Sequence, residues 1–523
     1  MSHTISDPSA GFPEFEPAQQ VALERVKRQL SEAFERFGFV PLETSAAEAD
    51  VVLTNTKAPI TSAGSMDRHI YTLTILTEFN RLQATIDRAI STEGCEVTEP
   101  VAELTATERE AFQISESDSN EMKALKAARG LAARARSGYA LHYDLTIPLV
   151  RYVSRHMAGL SFPFRRYQIQ KVWRAGNLPP QDQHEYYHCD IDVVGYKQLD
   201  ILTDAEIPSV IYRALTTIDA GRFQIRISNA KVLGHCLRHA GVPCDRLLPA
   251  RQALNRLKKV GTEQTVALMH EATGISPDKA RELIDFLRDG NADKETTVAR
   301  LRALPLGDKF EAAVSDLATV VRGSRLFGVP DESIRIDLTI ARELDYYTGT
   351  VYETDLLDHD GLGSICSGGR YDNLSDTLSA EETKTPSDVE VSKFPGVGVS
   401  FDLTRLTAHL FSADAARTEI ETTAAILVIS RDRASIAGIV QIANLLRVDG
   451  INTEVYLNDD SVGSQFGYAN AKGFKIAVIA ENANDLGSIA QLRVLATGVI
   501  IECSVREIPS KARQLLREDD VHQ

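Results

Sequence analysis

Two strand-like segments with charged residues on one face dominate the middle of this 523-residue chain. Residues 165–174 and 186–194 both alternate in polarity, which is typical of antiparallel strands that bury one face. Because alternate residues of a strand share a face, His188, Asp190 and Asp192 are expected to lie together. Charges on a half-buried sheet are costly unless they are paired or bind something. The pair of strands therefore predicts either cross-strand ion pairs or a binding site for a polar ligand.

The polarity pattern divides the chain into four predicted parts, which suits a length of about three domains at roughly 150 residues each. The fourth part alternates strands and helices, which predicts a parallel α/β sheet beside the antiparallel one. The overall prediction is a multidomain protein of mixed α/β and α+β class. The parts are a first sheet-containing segment (1–230, with a polar insertion at 77–138), a helical insertion (231–328), a second sheet-containing segment (329–415) and an α/β domain (419–523).

Several classes of protein are excluded by the composition. With 43% hydrophobic and 25% charged residues the chain is globular in character. Its apolar runs are far shorter than the roughly 20 residues of a membrane helix, and residues 1–13 lack the pattern of a secretory signal. The six cysteines form no CxxC pair, which argues against a zinc site or a disulfide framework. We therefore expect a soluble, cytoplasmic protein without a membrane partner and without a metal site of its own.

The net charge of −16 means that a nucleic-acid partner would have to bind a local basic face. No glycine-rich phosphate loop follows the first strand of the fourth part, where residues 430–433 read Ser-Arg-Asp-Arg. A nucleotide-binding Rossmann domain is therefore disfavoured.

Three further segments combine glycine, aromatic and charged residues. They are IARELDYYTGTVYE at 340–353, SGGRYDNL at 367–374 and PGVGVSFDLTRL at 395–406. Glycines such as Gly368 and Gly369 allow a close approach to the backbone, although a bulge or turn would use the same residues. Each segment alone is a weak signal.

Together and in this order, the segments resemble the motifs of class II aminoacyl-tRNA synthetases, and within that class the histidyl-tRNA synthetase family. The resemblance extends over nearly the whole chain, and LDYYTG followed by GGRYD is highly specific to the histidine branch. The other matching segments are YDLTIPLVRYV at 143–153, HCDIDVVG at 188–195, FQIRISNAKVL at 223–233 and VGSQFGYANAKG at 462–473.

The resemblance implies an antiparallel class II catalytic sheet, a helical insertion domain and a C-terminal domain that reads the anticodon. It also implies a homodimer formed through the first motif at residues 38–48. The implied reaction has two steps. Histidine attacks the α-phosphate of ATP, with Mg²⁺ bound to the ATP, to give histidyl-adenylate, and the histidyl group then passes to the 3′ adenosine of histidine tRNA.

The family motifs also assign roles to residues of this sequence. Arg174 and Arg342 match the catalytic arginines at the α-phosphate, where a planar guanidinium suits the geometry. Arg174, Glu185 and Arg405 form the implied ATP-binding set, with Arg405 at the γ-phosphate. Asp192 and Tyr347 would hold the imidazole ring of the substrate. The full implied histidine-binding set is Asp144, Thr146, His188, Asp192, Arg342, Tyr346 and Tyr347.

The loop between the two strands departs from the family pattern. Asn177, Asp182 and His184 stand where family members carry arginines, and the arginine replaced by Asp182 contacts the γ-phosphate. One hypothesis is a histidine–tRNA ligase whose altered loop binds ATP differently. The alternative is a synthetase-derived paralogue, either a histidine-binding regulatory subunit of the ATP phosphoribosyltransferase type or an enzyme that uses another acceptor. Retention of the three matching arginines and of the C-terminal domain favours the ligase.

Overall fold

The computed structural model describes most of the chain, in two compact units. The first unit comprises Met1–Pro13 and Ser31–Arg405, and the second comprises Glu14–Leu30 and Leu406–Gln523. The described residues are 11–50, 53, 70–74, 106–115, 118, 120–175, 183–289, 293–341, 347–359, 362–372, 393–413, 420–431, 436–480 and 486–522.

An eight-stranded sheet forms the centre of the first unit, in the order β1-β5-β6-β11-β10-β9-β7-β8. Neighbouring strands run antiparallel except for the two edge pairs, β1 with β5 and β7 with β8, which are parallel. The predicted antiparallel sheet is therefore confirmed. Its strands are β1 (Val40–Pro41), β5 (Phe164–Trp173), β6 (Glu185–Val194), β7 (Phe223–Asn229), β8 (Ile334–Ile336), β9 (Thr350–Leu356), β10 (Ser364–Tyr371) and β11 (Gly396–Asp402).

The neighbours of β6 determine what surrounds its acidic residues. In β5, Arg166 stands opposite Asp192, and in β11, Ser400 stands opposite Asp190. With strands on both sides and residues 188–194 all buried, β6 carries its charges into the interior. A charged side chain at such a position needs a partner on the adjacent strands or in a cavity.

Helices of the first unit support the sheet from the segments before and after its strands. Helix α5 begins at Asp200, whose carboxylate accepts a hydrogen bond from the backbone N–H of Leu202 at 2.8 Å. Thr350 and Tyr352 of β9 both donate to Asp204 of α5, which fixes this helix against the sheet. The helices before β7 are α2 (Ala106–Ala111), α3 (Asn120–Ala135), α4 (Thr146–His156) and α5 (Ile201–Thr217).

Six helices connect β7 to β8, within the stretch predicted to be helical. Asn229 begins the first of them by accepting from the N–H of Lys231 at 2.9 Å. These helices are α6 (Ala230–His239), α7 (Leu247–Asn255), α8 (Leu257–Thr273), α9 (Pro277–Asp289), α10 (Lys294–Arg302) and α11 (Asp308–Leu326).

Part of the predicted insertion at 77–138 can be described. Its second half forms α3, as the helix-favouring composition of residues 120–136 predicts. A small sheet in the order β2-β4-β3 joins residues on either side of the insertion, with β2 at Ala47–Ala49, β3 at Thr72–Thr74 and β4 at Arg136–Leu141. Residues 77–105 of the insertion and the predicted acidic loop at 379–392 lie outside the described residues.

The C-terminal sheet has the order β13-β12-β14-β15-β16. Its first three strands are parallel, as predicted, but β15 and β16 extend it as an antiparallel hairpin. Both hairpin strands are half-exposed and lack the continuous apolar run by which the parallel strands can be recognised. The strands are β12 (Ile426–Ile429), β13 (Thr453–Val455), β14 (Ile476–Ala480), β15 (Ile489–Val494) and β16 (Ile500–Ser504).

Four helices complete the description. They are α1 (Pro17–Glu35), α12 (Leu403–Ala413), α13 (Ile436–Val448) and α14 (Val462–Ala471), with α15 (Ile508–His522) closing the chain after β16. The side chains of Ile439, Ile442 and Leu446 in α13 are fully buried in the core of the C-terminal sheet. Among the described helices, none combines the length and the apolar character needed to cross a bilayer.

Candidate active site

A cavity of about 260 Å³ lies in the first unit. Polar residues of β6, β10 and β11 form much of its wall, together with residues just before β9 and around the start of α4. The lining residues are Asp144, Thr146, Arg174, His188, Asp190, Asp192, Tyr347, Ser364, Ile365, Ser367, Tyr371, Gly398, Val399, Ser400, Asp402 and Arg405. Seven positions predicted from the sequence are therefore brought together.

Asp192 is the carboxylate with the most internal partners. One of its oxygens lies 2.6 Å from Nη2 of the fully buried Arg166, and the other accepts a hydrogen bond from the Tyr371 hydroxyl at 2.8 Å. Gly398 makes room for it, because a Cβ atom there would lie 2.1 Å from Asp192 Oδ1. Burial outweighs the attraction of Arg166 and raises the pKa of Asp192 to about 7.

Asp144 lies just before α4 and is only 6% exposed. Its Oδ1 accepts a hydrogen bond from the N–H of Ile147 at 3.2 Å, whereas its buried Oδ2 has no hydrogen-bond partner among the described residues. Burial, with repulsion from Asp190, raises the pKa of Asp144 to about 6. Thr146, the first residue of α4, lines the cavity beside it.

His188 and Asp190 lie next to each other on the same face of β6. Ser400 Oγ is 3.0 Å from His188 Nδ1, and Asp190 Oδ1 is 3.9 Å from the same nitrogen. Burial and the nearby charge of Arg174 hold the pKa of His188 well below its usual value, so the imidazole is neutral at pH 7. Burial raises the pKa of Asp190 to about 6, against the attraction of Arg166.

Two arginines give the other end of the cavity the opposite charge. Arg174 follows β5 directly, and its exposed guanidinium lies 5.6 Å from the ring centroid of Tyr186. Its Nε donates to the carbonyl of Tyr143 at 3.4 Å. Arg405 pairs with Asp402 at 3.4 Å and donates to the carbonyl of Ser364 at 3.3 Å. A guanidinium has five N–H donors, so each arginine keeps donors for an anion.

The glycines of the GGRYD segment serve the sheet itself. A Cβ atom on Gly368 would lie 2.1 Å from the carbonyl oxygen of Gly398 on β11. A Cβ atom on Gly369 would lie 2.5 Å from the carbonyl oxygen of Thr350. The close approach inferred from these glycines is therefore made by neighbouring strands.

Glu185 is predicted to bind ATP, but it is not among the residues that line the cavity. It stands opposite Trp173, and its carboxylate accepts from Lys171 Nζ at 2.5 Å and from Trp173 Nε1 at 2.8 Å. Contact with ATP would require these hydrogen bonds to be exchanged. Arg342 and Tyr346, predicted to contact the substrates, lie outside the described residues, as do Asn177 and Asp182.

His184, which replaces a family arginine, takes part in a local structure at the start of β6. Its ring stacks on Phe12 with the centroids 5.8 Å apart, and its Nδ1 lies 2.9 Å from the carbonyl of Arg174. The N–H of His184 donates to the carbonyl of Gly11 at 2.7 Å. These contacts join the N-terminal segment to the base of the loop that follows Arg174.

Sequence reasoning assigned no role to four residues that shape the cavity. Arg166 and Tyr371 hold Asp192, Ser400 contacts His188, and Asp190 lines the cavity. The alternation of β5 could have placed Arg166 on the inner face, but its partner depends on the register with β6. Tyr371 is part of the GGRYD segment, and only the fold brings it to Asp192.

Comparisons with known proteins agree with this architecture. A family model described as histidyl-tRNA synthetase matches residues 96–406. Histidine–tRNA ligases from Trichormus variabilis and Xylella fastidiosa strain M12 are each 32% identical to this chain, over 98% of both chains. The crystal structure of histidyl-tRNA synthetase from Nostoc sp. PCC 7120 superposes with a TM-score of 0.74 at 29% identity, covering 98% of this chain and 99% of that one. On its sequence, its sheet and its relatives, this chain belongs to the histidyl-tRNA synthetase family.

Proposed function

We propose that this protein is a histidine–tRNA ligase, which activates histidine with ATP and transfers it to the 3′ end of histidine tRNA. The observation that carries the proposal is the polarity of the cavity in the first unit. Buried carboxylates occupy one end, and Arg174 and Arg405 occupy the other. An amino acid with a cationic ammonium group and a triphosphate have complementary charges and would meet between these ends.

The proposed roles follow from this polarity. Asp144 and Thr146 bind the ammonium group, while Asp192 and Tyr347 bind the imidazole ring. His188, held neutral beside Ser400, faces the same ligand without adding a positive charge. Histidine then presents its carboxylate toward Arg174, the end at which ATP binds.

In the first step a carboxylate oxygen of histidine forms a bond to the α-phosphorus, and the bond to the pyrophosphate oxygen breaks. Negative charge develops on the α-phosphate in the transition state. Arg174 stabilises this charge, and Arg342 is proposed to act with it. Arg405 binds the γ-phosphate, which orients pyrophosphate as the leaving group. Glu185 keeps its predicted role near ATP as part of this proposal.

Magnesium would enter with ATP, since Mg²⁺ binds mainly to substrate phosphates and one or two carboxylates. Asp402, the cavity carboxylate next to Arg405, has the oxygen chemistry that such an ion prefers. Bound there, the ion would neutralise part of the phosphate charge. Within the described residues, no cluster of three metal-binding side chains forms a separate metal site.

The C-terminal α/β domain, residues 419–523, is proposed to bind the anticodon. At the ends of β12 and β13, Ser430, Arg431, Tyr456 and Gln465 line a small cleft. Clefts at the carboxyl ends of parallel strands are the usual ligand sites of such sheets. Deleting residues 419–523 should weaken tRNA binding and leave histidine binding intact, and equal tRNA affinity in both proteins would remove this part of the proposal.

We also propose a homodimer formed through residues 38–48 and a cytoplasmic location, in keeping with a role in translation. Sedimentation analysis of the purified protein tests the first of these proposals. A monomer at micromolar concentration would contradict it.

The main experiment measures histidine-dependent ATP–pyrophosphate exchange and then transfer of labelled histidine to tRNA. The ligase should perform both reactions, and the other amino acids serve as controls. Histidine binding without exchange would favour the regulatory paralogue. Exchange without charging of tRNA would favour an enzyme with another acceptor.

A further inference from the structure

Asp190 is a cavity carboxylate to which the proposed mechanism gives no role. It is 3% exposed, and its Oδ1 is buried without a hydrogen-bond partner among the described residues. Leaving a charged acceptor buried and unsatisfied is unfavourable. A native protein retains such a group where a ligand completes it.

Counting charges around the cavity shows what kind of ligand is missing. Asp144, Asp190 and Asp192 are all buried, and the fully buried Arg166 forms its ion pair with Asp192. Asp144 Oδ2 and Asp190 Oδ1 both remain without a hydrogen-bond donor from the described part of the chain. The nearest side-chain nitrogen reported for Asp190 is His188 Nδ1, 3.9 Å away, which is too long for a hydrogen bond. Two unsatisfied carboxylate oxygens in one cavity are suited to a cation that can donate to both.

The position of Asp190 along β6 distinguishes the ammonium group from the imidazole ring. Asp192, with Tyr371 bound to it, marks the proposed ring end. Asp190 is two residues earlier on the same face, about 6.6 Å along the strand, in the direction of Glu185 and the turn from Arg174. An extended histidine with its ring at Asp192 and its carboxylate toward Arg174 would have its ammonium group between these points.

We propose that Asp190 is a second ammonium-binding residue, which accepts a hydrogen bond from the α-amino group of the substrate together with Asp144. The inference rests on the proposed function, since it assumes that histidine is the ligand. Binding to both carboxylates would make the site select for an unmodified α-amino group. Deaminated or N-acylated analogues would leave two buried acceptors unsatisfied, a strong basis for rejection.

The test compares three ligands in wild type and in Asp190→Asn by calorimetry at pH 8. Histidine and histamine both carry an ammonium group, whereas imidazolepropionate has the ring and carboxylate without it. Loss of a charge-assisted hydrogen bond should weaken binding of histidine and histamine by roughly 10- to 100-fold. The affinity for imidazolepropionate should change by less than about threefold or increase. Equal weakening of all three ligands, or no weakening of histidine, would overturn the proposal.

Asp144→Asn is the matched control, because its side chain is proposed to bind the same group. It should give the same selectivity between the three ligands. The melting temperature of the ligand-free protein supplies an independent measurement. Removing an unsatisfied buried carboxylate should leave it unchanged or raise it, whereas a purely structural role for Asp190 requires it to fall. If Asp190→Asn does not fold, Asp190→Ser removes the same charge with a smaller side chain.

The two proposals fail in different ways. If wild type binds no histidine, the proposed function is wrong. If wild type binds histidine and catalyses exchange while Asp190→Asn discriminates between no ligands, only the role of Asp190 is wrong.

Discussion

The two ends of the cavity bind their charged groups by different means. At the acidic end, side chains are buried in the sheet and Asp192 is held by Arg166 and Tyr371. At the arginine end, Arg174 is exposed and its described contacts are with a carbonyl oxygen and an aromatic ring. The acidic end therefore has its geometry before a ligand arrives, whereas the arginine end keeps donors for an incoming anion.

This difference bears on selectivity and catalysis. A rigid, buried polar site discriminates strongly, because a wrong ligand leaves its groups unsatisfied. Arginines at a phosphate contribute most where charge develops in the transition state. We therefore expect substitutions at the acidic end to change stability and amino-acid affinity, and substitutions at the arginine end to change turnover and ATP affinity.

The largest effect is expected from Asp192→Asn, which leaves Arg166 buried without its ion-pair partner. Breaking one side of a buried pair costs about 3–5 kcal/mol of unfolding free energy, and histidine binding should be lost as well. Denaturant titration measures the first effect and calorimetry the second. Tyr371→Phe is the control, since it removes one hydrogen bond and should cost about 1 kcal/mol. Equal losses from both variants would show that the ion pair is unimportant.

Arg174→Ala tests the arginine end. Turnover in ATP–pyrophosphate exchange should fall by about 10²- to 10³-fold, as for loss of a donor at a developing negative charge. Histidine affinity should change little, because the acidic end is intact. Arg174→Lys keeps the charge without the planar fork and should recover only part of the rate. A loss of histidine binding equal to the loss of turnover would contradict the separation of the two ends.

Asp182→Arg should strengthen the same end. The sequence places an acidic residue where family members bind the γ-phosphate with an arginine. Restoring one charge-assisted hydrogen bond, about 1.5–3 kcal/mol, should lower KM for ATP by roughly tenfold or more. Turnover should change less, because the γ-phosphate is remote from the reacting bond. A higher KM for ATP in the variant would show that the altered loop binds ATP in another way.

The smallest effect is a dependence on pH that belongs to the acidic end. Burial raises the pKa values of Asp144 and Asp190 to about 6 and that of Asp192 to about 7. An unfolded aspartate has a pKa near 3.9. The folded protein therefore binds more protons between pH 4 and 7, and these groups lower its stability as the pH rises through that range.

A bound ammonium group favours the ionised carboxylates and should reverse this trend. The increase in melting temperature caused by histidine should therefore grow between pH 5.5 and 8. Titration of the histidine ligand itself is common to every variant, so Asp144→Asn serves as the control and should show a shallower dependence. Parallel curves for the two proteins would contradict the contribution of Asp144.

The sequence predicted much of the site because its motifs carry local geometry. Alternation along β6 placed His188, Asp190 and Asp192 on one face, and the family motifs located Arg174 and Arg405. It failed for Glu185, whose place beside Arg174 in the chain suggested ATP binding. Pairing with Trp173 and Lys171 depends on the register of two strands, which alternation alone leaves undetermined.

What the sequence by itself determined is which residue types share a face and which family the chain resembles, since both depend on short-range spacing. Only the tertiary structure decided which carboxylate is neutralised. Arg166 and Asp192 are 26 positions apart in the chain and meet because β5 and β6 pair in one register. The same register leaves Asp190 beside Ser400 and His188, with one buried oxygen unpartnered by the described residues. Burial then sets the pKa values of these groups, because desolvation depends on every surrounding atom and on no single stretch of sequence.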